Sequence, residues 1–255
     1  MELKIELEKI AKRLFDEGIC SQPLSESALK DIFRYMGMSQ TGSELMRRLS
    51  DVENNYDEIS REAEDAVKRV KETITDCDKI FGALINEWDR KGLTDAYSFS
   101  KDCSTLSRMY QSYSAMTENL SDKIITIENA CDLLAETAAQ TKACTASFLE
   151  IYYETRLAYY AAALNKDKEN LLSCRAISLQ AHGSSHESSC KAMRYLSASR
   201  SAATALTVIN EVISETTVCF KELSSENQIR NGIIVKKFVG GIEKLRALTS
   251  SKNLN

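Results

Sequence analysis

The sequence is short of the residues that stop helices. It has one proline, Pro23, and nine glycines in 255 residues. Proline removes a backbone donor and clashes with the preceding turn, so no helix after Pro23 is interrupted in that way. A mixed α/β enzyme of this length needs many turns, and turns need Gly, Pro and Asn-Gly signals that are scarce here. The remaining solution is a few very long helices. No apolar run approaches the roughly 20 residues of a membrane span. The eight cysteines include no CxxC pair and are widely spaced, and the formal net charge is -4. A dedicated nucleic-acid binder would be clearly basic, so no nucleic-acid partner is expected. The opening MELKIELEKIAKRLFDEG is charged throughout and is not read as a secretory leader. These features are read as a soluble, cytoplasmic protein whose cysteines act as small apolar residues in a reducing compartment.

What is present is helical periodicity. Leu3, Leu7, Ile10, Ala11, Leu14 and Phe15 recur at helical spacing up to Gly18. A second short helix follows Pro23, with Leu29, Ile32, Phe33 and Met36 on one apolar face and Gly37 at its end. Three long segments then carry apolar residues at steps of three and four, the seam of a coiled coil. The first is expected over 43–89, and at 1.5 Å per residue it would be about 70 Å long. The second is expected over 95–181. It thickens into FLEIYYETRLAYYAAAL, apolar on more than one face, and such a helix needs several partners. The third is expected over 187–248, with Met193, Leu196, Ala203, Leu206, Ile209, Ile213, Phe220, Leu223 and Ile229 in its seam. Residues 1–42 are thus read as short amphipathic helices and 43–250 as a three-long-helix domain.

The stretch HGSSHESSC places His182, His186 and Cys190 four residues apart, on one face if the segment is helical. Histidine and cysteine are common zinc ligands. Gly183-Ser184-Ser185, midway between two long seams, is read instead as a hairpin turn, with Ser185 capping the returning helix. The histidines then fall on different helices, so no metal site is expected. A Cys190–His186 catalytic pair needs an ordered pocket and an orienting residue, which a hairpin tip seldom offers. No catalytic residue, cofactor or small-molecule substrate is expected.

Around that turn the chain carries Lys166, Lys168, Arg175, Lys191, Arg194 and Arg200 against Asp167, Glu169 and Glu187. A basic end on a long-helix protein fits anionic lipid headgroups, at on the order of 1 kcal/mol per residue near the surface. The plainer reading is a solvated helix surface.

Three antiparallel helices with a basic hairpin tip, preceded by a short amphipathic helix, resemble a BAR domain, most of all that of sorting nexins. FLEIYYETRLAYYAAALNKDKENLLSCRA is similar to the second helix of that family. VINEVISETTVCFKELSSENQIRNGIIVKKFVGGIEKL resembles its closing helix, and PLSESALKDIFRYMG stands in the place of the preceding amphipathic helix. The residues before Pro23 are too few for the PX domain that sorting nexins carry upstream. The resemblance implies an all-α, long antiparallel three-helix coiled-coil rod that dimerises into a six-helix bundle. The dimer would be a homodimer or a heterodimer with a related BAR protein, with Leu157 and Tyr160 at its interface. It implies peripheral binding to anionic, phosphoinositide-containing endosomal membranes and the sensing or stabilising of curvature. Leu29, Ile32, Phe33 and Met36 would either wedge into lipid or pack on the bundle as a cap. The alternative is a cytosolic helical scaffold that binds protein partners without lipid contact. A pore-forming toxin ranks lower, because the expected tip is polar.

Overall fold

The computed structural model describes residues 2–20, 22, 24–35, 42–93, 103–223 and 231–250. Among them the regular structure is helical and no strand occurs. The helices are α1 (Glu2–Asp16), α2 (Glu26–Tyr35), α3 (Gly42–Arg90), α4 (Cys103–Leu164), α5 (Lys168–Leu223) and α6 (Asn231–Thr249). The chain divides into two units. Unit 1 comprises Met1–Ser60 and Ala139–Ala192, and unit 2 comprises Arg61–Ala138 and Met193–Asn255. Each therefore takes a part of α3, α4 and α5.

Three helix ends share one device. Gly18 and Gly92 have φ of +68° and +65°. After α1, Ile19 N–H donates to the Leu14 carbonyl and Gly18 N–H to that of Phe15. After α3, Leu93 N–H donates to Trp88 and Gly92 N–H to Asp89. Such paired bonds satisfy carbonyls left over at the helix end and need a left-handed residue, usually glycine. Both ends fall where the glycines predict them. The third does not. After α4, Asp167 N–H donates to Ala162 and Lys166 N–H to Ala163, and the left-handed residue is Lys166 at φ 59°. Asp167 then caps α5, accepting the Asn170 backbone N–H at 3.2 Å and its side-chain amide at 2.8 Å.

The reversal expected at Gly183–Ser185 therefore lies at residues 165–167. The segment expected over 95–181 ends at Leu164, and α5 runs unbroken through HGSSHESSC. A single glycine costs a helix only about 1 kcal/mol. The serines sit in the helix by bonding back to it, Ser185 Oγ to the His182 carbonyl and Ser188 Oγ to that of Ser185. The third segment, expected over 187–248, is divided between α5 and α6, and residues 224–230, with Ile229, lie outside the described residues.

In unit 1, Leu45, Leu49, Tyr56 and Ile59 of α3 pack with Phe148 and Ile151 of α4 and with Cys174, Ile177 and Ala181 of α5. The end of α4 is apolar on several sides because α1 and α2 also rest there. Leu14 and Ile32 bury against Tyr160, Ala163 and Leu164.

Unit 2 is built on aromatic rings. Trp88 meets Phe220 and Phe238 edge-on at 6.5 and 5.6 Å, and Phe81 meets Phe238 at 5.3 Å. The Tyr113 hydroxyl donates to the Ile213 carbonyl at 2.8 Å and lies 2.7 Å from Thr217 Oγ1. The seam of α5 here differs from the expected one: Met193 and Ala203 are exposed, while Tyr195, Ala198, Ala202 and Ala205 are buried. Alanine and serine fit either face, so periodicity in this alanine-rich stretch fixes the seam poorly. Helix α6 closes the unit, with Arg246 paired to Asp78 at 3.1 Å and Gly241 seated on Val212.

Two glycines test this arrangement in opposite directions. A methyl at Gly183 meets nothing within 4 Å. Gly183→Ala is therefore expected to raise stability by about 0.5–1 kcal/mol, whereas a hairpin there would make it destabilising. A methyl at Gly241 would lie 2.5 Å from Val212 Cγ2, and Gly241→Ala is expected to lower stability by about 1–3 kcal/mol. Urea unfolding of both variants beside the unaltered protein measures the two signs.

Candidate interaction surface

The six basic residues expected at one tip are not one site. Lys166 lies in the reversal, Lys168 opens α5, and Arg175 stands two turns further on, all three exposed. Lys191 is engaged against α3. Its Nζ is 2.9 Å from Ser60 Oγ, 3.3 Å from Glu187 and 5.4 Å from the centre of the Tyr56 ring. Arg194 pairs with Glu64 of α3 at 2.7 Å. Arg200 is exposed but lies about nine turns along α5 from Lys168. With the reversal at residues 165–167, Lys191, Arg194 and Arg200 fall in mid-helix.

The same shift returns His182, His186 and Cys190 to one helix, where all three are exposed. His182 packs on the Tyr152 ring of α4, with ring centres 5.0 Å apart. Among the described residues no three His, Cys, Asp or Glu side chains gather as metal ligands.

The partners expected for the apolar end of α4 lie within the chain. Tyr160 is 7 % exposed, and its neighbours include Leu14 and Ile32, while Leu157 is half-buried between the same group and the α3 seam. Their apolar faces thus have cover without a second copy, which removes the packing argument for an interface there. Leu29 and Ile32 of α2 are buried, the arrangement of a cap on the bundle. The Phe33 side chain and Met36 lie outside the described residues.

One face of unit 1 does remain open. On α4, Tyr153 is 62 % exposed and Leu149 lies one turn before it; on α5, Leu172 and Leu179 are 64 % and 68 % exposed. The Tyr152–His182 contact joins the two helices on this side, and Tyr152 also lies 5.4 Å from the Tyr153 ring. Arg156 spans the neighbouring tyrosines. Its guanidinium donates to the Tyr160 hydroxyl at 2.8 Å and to that of Tyr152 at 3.1 Å, and stands 5.7 Å from the Tyr152 ring centre. The Tyr160 bond, followed by that to Tyr152, pushes the Arg156 pKa above its ordinary value.

Charge is sorted across these helices. Within unit 1, α4 and α5 carry the carboxylates Glu150, Glu154, Glu169 and Glu187. Glu154 pairs with Arg48 of α3, and Glu187 accepts the Tyr56 hydroxyl of α3 at 3.3 Å. Glu150 lies one turn before Glu154 and adds to the field that raises the Arg48 pKa, after the dominant Glu154 bond. Glu169 precedes Glu187 by about five full turns and so lies along the same line of α5. The acids thus gather towards α3. The outer line of α4 has Lys142, Leu149 and Arg156 at seven-residue steps, and that of α5 has Lys168, Arg175 and His182. Lys142, Lys168 and Arg175 are exposed and make no ion pair with a described residue.

No family model, curated protein or solved structure matches the chain. Sequence reasoning missed this face because the expected turn put Leu172 and Leu179 beside a tip, while Leu149 and Tyr153 fall in the stretch read as apolar on more than one face. The available signal was the repeat of Leu172, Leu179 and His186 every seven residues, opposite the buried line of Cys174, Ile177 and Ala181.

The cysteines give a test of this placement. Cys190 is exposed, whereas burial pushes the Cys77 thiol up to about 11 and raises those of Cys144 and Cys174. Thiolate is the reactive form. Iodoacetamide at pH 8 should therefore label Cys190 well before Cys77, Cys144 and Cys174, as read by peptide mass spectrometry. Equal rates at Cys77 and Cys190 in the folded protein would contradict the packing.

Proposed function

We propose that the protein acts by binding rather than catalysis, as a long-helix scaffold that docks protein partners. The observation supporting this is the outer α4–α5 face of unit 1, open and apolar while the neighbouring seams are covered by the chain's own helices. Large exposed apolar side chains on neighbouring helices are a common mark of an interaction site. Tyrosine and arginine, here Tyr153 and Arg156, are enriched at the centres of such interfaces.

The exposed Lys166, Lys168 and Arg175 favour a second reading, the BAR-like one. There the chain would pair into a six-helix bundle and meet anionic endosomal lipid to sense or stabilise curvature. Two measurements separate the readings. A photo-cross-linking amino acid in place of Leu179, introduced in the native cell, should give discrete protein adducts that the same probe at the exposed Glu72 does not. Vesicles of phosphatidylserine and phosphoinositide should leave the purified chain in the supernatant. Pelleting with vesicles, dimer mass by ultracentrifugation and no adducts at position 179 would replace the scaffold reading with the membrane one.

A further inference from the structure

We infer that the α4–α5 face of unit 1 takes an acidic amphipathic helix of a partner protein, which completes a local helix bundle. The inference rests on the scaffold reading and specifies its partner. Leu172 and Leu179 are separated by seven residues and Leu149 and Tyr153 by four, on antiparallel helices joined by the Tyr152–His182 contact. A helix laid along this pair would find apolar side chains at the three- and four-residue intervals of its own face. Ala146, Ala176 and Gly183 stand among them, and such small side chains let a helix approach closely.

Lys142 and Arg156 share the outer line of α4 with Leu149, and Lys168 and Arg175 lie about one turn from Leu172 and Leu179 on α5, while Glu154 and Glu187 reach α3. In a protein of net charge -4 these four cations on two neighbouring helix lines are a local departure from the average. A partner helix bearing Asp and Glu beside its apolar stripe would meet complementary charge along the outer lines of α4 and α5. A basic helix would meet repulsion, which discriminates against it. Arg156 also presents a guanidinium already oriented by two tyrosine hydroxyls, so little freedom is lost when a carboxylate reaches it.

Two labelled synthetic helices of about 20 residues test this with the full-length chain by fluorescence anisotropy. Both carry the same leucine stripe; one is flanked by glutamates and the other by lysines. The glutamate peptide should bind, more weakly as salt rises, and the lysine peptide should not. Leu172→Ala with Leu179→Ala should weaken binding by at least about tenfold. The triple reversal Lys142→Glu, Lys168→Glu and Arg175→Glu should move the preference to the lysine peptide. All these positions are exposed, so thermal unfolding should be unchanged and a lost signal will not reflect lost fold. Failure of both peptides, equal binding of both, or indifference to the substitutions overturns the inference. So does a dimer of the unaltered chain that the double alanine variant dissociates, which would give the face to a second copy. Vesicle binding lost in the triple reversal, with neither peptide bound, would give it to a membrane. Discrete protein cross-links from position 179 without a preference for the acidic peptide would retain the scaffold and refute only the acidic partner.

Discussion

The reversal at residues 165–167 decides what α4 and α5 do in unit 1. An antiparallel helix pair has one register, and the turn sets it. With Lys166 left-handed, Tyr152 comes opposite His182, and Thr145 comes within 2.8 Å of Ser188. A left-handed conformation costs a residue with a Cβ roughly 1–2 kcal/mol. Here the paired bonds from Lys166 and Asp167 close the end of α4 while Asp167 caps α5, so consecutive residues satisfy two helix ends. A turn moved to Gly183 would rotate and slide every later contact.

Register then sorts polarity. Alanines and serines of α5 let it lie against α3 and α4, and its larger apolar residues divide between Ile177 inside and Leu172 and Leu179 outside. The carboxylates find α3, where Arg48 and Tyr56 receive them. Partly buried groups interact in a less polarisable medium than water, so cross-helix contacts favour placing acids there. The remaining outer line is left with cations and exposed leucines. That face combines exposed cations with apolar area, unlike the opposite side of the same helices.

The two short N-terminal helices alter the meaning of the apolar surplus near Tyr160. Taken alone, an α4 segment apolar on several sides calls for additional partners. Those partners include Leu14 and Ile32 of the same chain. The demand is met locally, and unmet apolar area lies elsewhere, on the outward side of α5. Unit 2 meets a similar demand differently, by seating α6 through Gly241 against Val212 and through the Phe238 ring against Trp88.

Legible in the sequence were the helical class, the span of α3 to within a residue at each end, and the helix end at Gly18. These follow from local chemistry: scarce breakers, three- and four-residue periodicity, and glycine where a left-handed residue is needed. The buried lines of α3 and α4 follow large apolar residues at three- and four-residue steps. Tertiary structure decided the α4–α5 reversal, since Lys166 carries no local signal for its conformation while Gly183 falsely carries one. It likewise decided the α5 seam, where Tyr195 and alanines are buried and Met193 is not. The roles of Lys191 and Arg194 were beyond local reading for the same reason. Periodicity states which residues share a face; only the packed neighbours state which way that face points.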